Sequence, residues 1–84
     1  MARTRTYSPY AVEAAQLLGA QVCLARRERR WSVQELADRA GISPPTLAKI
    51  ERGEMTVVLG LALEVAPVVG VTLFHEDRSR WSLH

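Results

Sequence analysis

Seven cationic side chains, Arg26, Arg27, Arg29, Arg30, Arg39, Lys49 and Arg52, fall between positions 26 and 52 of a chain whose net charge is only +2. Such groups hold anions without making or breaking bonds. A cluster of them points either to a polyanion such as nucleic acid or to a solvated helix face. Covalent chemistry has no comparable candidate. Cys23 is the only cysteine, so it can form no internal disulfide, and a structural zinc site would need ligands the chain lacks. Its apolar neighbours make it a poor reactive thiol. His75 and His84 are isolated, and no Ser/His/Asp, paired-carboxylate or glycine-rich phosphate constellation is present. The sequence therefore reads as a non-enzyme with no metal and no cofactor.

The elements that would position these cations read as all-α. At 84 residues and 9.4 kDa there is room for one small domain, and a lone domain of that size buries little surface. Help from a partner subunit is expected. No apolar run reaches the roughly 18 residues of a membrane span, and "MARTRTYSPY" has charge but no apolar core of a signal peptide. A soluble, cytoplasmic protein with no membrane partner is expected. Residues 1–8, with Arg3 and Arg5, form a flexible arm, 9–75 the folded domain and 76–84 a tail.

Ser8 followed by Pro9 is a helix start. The first helix is expected over 9–30, apolar at Val12, Ala15, Leu18, Val22 and Ala25, with a bend at Gly19 and the cationic "RRERR" in its last turn. Ser32 and Glu35 then make a capping box, with Trp31 stapled onto Leu36. That predicts a short helix over 33–40, closed by Gly41, with Ile42 folding back onto the core. Ser43 caps a third helix. Pro44 and Pro45 fall at its first two positions, where backbone N–H groups have no partner in the helix anyway. A residue before proline avoids the α region, so a start at Pro45 is the alternative. Leu47 and Ile50 point to the core, Pro45, Ala48, Lys49 and Arg52 share the opposite face, and Gly53 ends the helix.

Two short capped helices joined by a glycine turn make a helix-turn-helix, here over about 32–53. Ala37 is the small residue at the crossing, Gly41 the turn, and Leu47 and Ile50 the anchors. With "LADRAGISPPTLAKIERG" at its centre, the stretch from Leu17 to Phe74 resembles the Cro and phage-repressor (XRE) family. The resemblance implies a compact four- to five-helix DNA-binding domain whose third helix enters the major groove of double-stranded DNA. Ser43, Pro44, Pro45, Thr46, Ala48 and Lys49 then occupy base-facing positions. Lys49 reaches guanine and Thr46 a thymine methyl, while the prolines offer apolar contact alone, so shape readout gains weight over direct readout. Ser32, Val33, Gln34 and Arg52 take the phosphate-contact positions. Val33 departs from the polar residue usual there. Arg26 and Glu51 match a structural salt bridge, and Arg27, Arg29, Arg30 and Arg39 remain solvated surface.

The other informative segment is "TVVLGLALEVAPVVGVTLF", 56–74. Ten of the thirteen residues from Val57 to Val69 are apolar, and Glu64 is the only charge among them. Thr56 is the expected cap, Pro67 is expected to bend or end the helix near Ala66, and the chain beyond Gly70 reads as either a short helix or a strand. A helix apolar all round wants burial on more than one side. Val58, Leu59, Leu61, Ala62 and Val65 are therefore candidates for a dimer or partner interface, the bland alternative being ordinary core. A homodimer would read palindromic half-sites as a repressor. The segment ending in "GVTLF" is also similar to HipB-type antitoxins, which implies a HipA-like kinase toxin as a further partner and repression of the protein's own operon. A stand-alone repressor, or a protein-interaction module that no longer binds DNA, are the other readings.

Overall fold

The computed structural model describes residues 5–73. The first four positions and the segment from Phe74 onward, which holds His75, Trp81, Leu83, His84 and the expected tail, lie outside the described residues. Among the described residues the chain forms four helices and no strand: α1 (Pro9–Glu28), α2 (Val33–Ala40), α3 (Pro44–Glu51) and α4 (Leu59–Val69). No helix among them is long and apolar enough to cross a membrane.

The local signals act as their chemistry dictates. Ser8 Oγ accepts from the Ala11 N–H, and Ser32 and Glu35 exchange both bonds of a capping box. At α3, Ser43 has φ −77° and ψ 148°, the extended conformation that a residue before proline prefers, and its Oγ accepts from the Thr46 N–H. The first helical residue is thus Pro44 rather than Pro45. Each helix ends in the same closure, in which a residue of positive φ lets the next N–H return to a carbonyl one turn back. Gly41, Gly53 and Gly70 fill that position after α2, α3 and α4.

After α1 the position falls to Arg30, at φ 58°. Trp31 N–H donates to the Arg26 carbonyl at 3.1 Å, so the helix stops at Glu28 rather than at the expected residue 30. Left-handed backbone costs an L-residue about 1–2 kcal/mol, partly offset in a glycine by its freer unfolded chain. Arg30→Gly should therefore stabilise the domain by about 0.5–1 kcal/mol. A thermal melt showing no rise in Tm would contradict this account of the α1 terminus.

Val22, Leu36, Ala37, Leu47, Ile50, Ala62, Val65 and Val69 form one buried core, with Trp31, Val33, Ile42 and Val57 packed against it. α1 is continuous through Gly19, and the glycine is buried where α1 meets the carbonyl end of α3. The start of α4 also differs from expectation. Val57 is drawn against the core while still in a turn, so the helix begins two residues later, with Val58 at its cap position and no side-chain cap; Thr56 caps nothing. Pro67 does not end α4. It removes one ladder donor in the last turn, but burial of Val65, Ala66 and Val69 and the closure at Gly70 carry the helix on to Val69. Val71–Leu73 are neither helix nor strand.

Candidate nucleic-acid interface

The outward side of α3 is built by what holds its inward side. Leu47 and Ile50 are buried, which turns Pro45, Lys49 and the following Arg52 to solvent and leaves Pro44, Thr46 and Ala48 half-buried. Ser43 is exposed, and its hydroxyl lies 2.8 Å from that of Thr46, so the two share one hydrogen bond and one O–H of the pair remains to donate. The prolines have a second consequence. With no N–H on Pro44 or Pro45 and that of Thr46 held by Ser43, the start of α3 has no free helical donor to offer a phosphate. This end of α3 presents a stiff, apolar edge, followed one turn later by the ammonium of Lys49.

The start of α2 is the opposite. Its capping box consumes the N–H groups of Ser32 and Glu35, which leaves those of Val33 and Gln34 directed out of the helix. Backbone donors at a helix start suit a phosphate oxygen. Val33 could contribute only its N–H to such a contact, because its side chain packs against the core. The Gln34 side chain is engaged with Asp38, donating from Nε2 at 2.8 Å.

Arg52 is exposed but not free. Its Nε donates to Glu54 Oε2 at 2.7 Å, and Nη2 lies 2.6 Å from the same oxygen. Residues two apart do not face each other on a helix, so this pair exists only because α3 has ended at Glu51 and the chain turns. Sequence spacing could not reveal it. At a wet surface it is worth little, and a phosphate can displace the carboxylate.

Arg26 and Glu51 form the expected pair, and its geometry is bidentate. Arg26 Nε donates to Oε2 at 2.7 Å and Nη2 to Oε1 at 3.0 Å, while Nη1 donates to the Trp31 carbonyl at 2.9 Å. The two side chains are 11% and 10% exposed. Donating to the Glu51 carboxylate raises the arginine pKa above its ordinary value, with desolvation opposing. One guanidinium therefore ties α1 to the end of α3 and to Trp31, the residue before the α2 cap, fixing the helix-turn-helix as a unit. Arg39 and Arg29 are not merely solvated: their guanidinium carbons lie 4.2 and 5.5 Å from the Trp31 ring centroid.

The five α4 candidates divide. Val58 and Leu59 are exposed and Leu61 is half-buried, but Ala62 and Val65 are core and cannot face a partner. Leu63, not anticipated as a surface residue, is exposed instead.

A family model described as Helix-turn-helix matches residues 24–73. No curated protein matches the chain. Among solved structures, it is similar to a chain described as "MDT Protein" and to a chain of a structure described as "Structure of HipA-HipB-O2-O3 complex". Each superposes with a TM-score of 0.64 at 21% identity, covering 89% of this chain and 97% of the other. At that identity the likeness establishes a shared fold.

Proposed function

Because the chain belongs to the XRE-type helix-turn-helix family of DNA-binding regulators, we propose that it is a transcriptional repressor that binds palindromic operators as a homodimer. The observation that carries this reading is the outward face of α3, aimed by a buried bidentate ion pair and left open to solvent at Pro45 and Lys49. In the proposed docking, α3 lies in the major groove and its small, stiff leading edge allows close approach. The Val33 and Gln34 N–H groups and Arg52 meet phosphates on either side. Base readout rests on Lys49 and the methyl contacts of Thr46 and Ala48, with sequence-dependent DNA shape supplying the rest.

The likeness to a chain of the HipA–HipB complex favours a more specific form, an antitoxin that represses its own operon and binds a HipA-like kinase. Co-purification of that kinase from the native operon separates this form from a stand-alone repressor.

The DNA reading is tested on the fragment upstream of the protein's own gene, with scrambled DNA of equal length as control. Replacing Lys49 and Arg52 with alanine should weaken binding by about 1–3 kcal/mol and make the salt slope shallower by about one per cation removed. A wild-type slope in the double variant would remove α3 from the interface. Equal, salt-insensitive failure on both fragments by the wild type would leave the protein-interaction reading.

A further inference from the structure

α1 is apolar on both sides, and the fold uses only one of them. Gly19, Val22 and Arg26 face the rest of the domain and are buried. On the other side Tyr10, Leu17 and Leu24 remain 84%, 60% and 60% exposed. They stand seven residues apart, the spacing at which one helix presents a straight seam to another. Between Tyr10 and Leu24 the seam is filled by Glu13, Ala14, Ala20 and Gln21, all exposed and two of them alanine. Charge appears within it as Glu13, one turn before Leu17, and beyond Leu24 as Arg27 and Glu28. Beside it runs a groove of about 490 Å³, shared by Leu17 and Gln21 of α1 with the exposed Leu59 and Leu63 of α4.

We infer that this face of α1 pairs antiparallel with α1 of a second copy, centred on Leu17 against Leu17. This rests on the homodimer reading above and assigns its interface. The seam is complementary to itself in that direction. Tyr10 meets Leu24, Glu13 meets Gln21, Arg27 meets Tyr7, and Glu28 meets the start of the other helix beside Arg5. The first turn of α1 contains no acidic residue of its own, so Glu28 of the second copy supplies the negative charge that a helix start favours. In the parallel direction Glu13 would face Glu13, Arg27 would face Arg27, and the two macrodipoles would align. Every one of these terms is repulsive, whereas the antiparallel pair removes them and keeps charge out of the interface centre.

Light scattering on the intact protein over a dilution series, with helicity measured alongside, tests this. Leu17→Glu should give a folded monomer, the dissociation constant rising about 100-fold or more because two carboxylates would be desolvated face to face. Leu24→Glu is the second variant, should the first fail to fold. Arg5→Glu and Glu28→Arg should each weaken the dimer about fivefold, and combining them should restore it. A dimer unchanged by both leucine substitutions would overturn the α1 interface while leaving the homodimer reading intact; if Leu59→Glu alone dissociated it, the contact would lie at the start of α4. A wild type monomeric at every concentration would overturn the homodimer itself.

Discussion

Gly19→Ala should lower the stability of this domain by about 3 kcal/mol, although it places a better helix former inside a helix. The β-carbon it adds would stand 2.7 Å from the Glu51 carbonyl oxygen and closer still to that of Ile50. Both atoms are backbone, so no side chain can swing aside, and α1 and α3 must separate. Overpacking of this kind typically costs about 1–3 kcal/mol, and more where backbone must move, against about 1 kcal/mol gained in helix propensity. For a domain of this size Tm should fall by about 10–20 °C. Gly60→Ala provides the control within the same molecule. It makes the same exchange inside α4 with nothing within 4 Å, so it should stabilise slightly. If Gly19→Ala melts at or above the wild-type temperature, α1 and α3 do not approach as described.

The second large effect concerns the ion pair between Arg26 and Glu51. Removing either partner leaves the other buried and uncompensated, at a cost of about 3–5 kcal/mol. Arg26→Ala also frees the Trp31 carbonyl and loosens the junction between α1 and α2. Replacing both partners together, as Arg26→Met with Glu51→Leu, should recover most of the loss, since no charge then remains to be desolvated. DNA binding per folded molecule should stay near wild type in the single variants at low temperature, because neither side chain is open to a phosphate. An unchanged Tm with abolished binding would move the pair from scaffold to interface.

Much of the fold was legible because its signals are local. A serine before a proline, a capping box of Ser32 and Glu35, and a glycine at the left-handed end of α2 act within one helical turn of chain. Their outcome depends little on what packs above them. The helix-turn-helix, its outward face and the pairing of Arg26 with Glu51 could thus be anticipated, the last through resemblance to a family rather than from spacing. The α1 end was misjudged by the same logic: cations suit a helix terminus, but Arg30 adopts positive φ because Trp31 is held by the core and its N–H returns to Arg26.

What the tertiary structure alone decided is which of several similar apolar residues face one another. Along Val57–Val69 the pattern is apolar on every side, so periodicity carries no direction. The start of α4 is set by Val57 reaching the core from a turn, and its buried side by contact with α1 and α2, which consumes Ala62 and Val65 and leaves Leu59 and Leu63 in solvent. Gly19 shows the same limit: a glycine within a helix reads as a bend until the carbonyls lying against it are known. The pairing of Arg52 with Glu54 required knowing where α3 stops. Caps and turns are written in neighbouring residues, whereas the choice among equivalent hydrophobic faces is made by the distant surfaces that cover them.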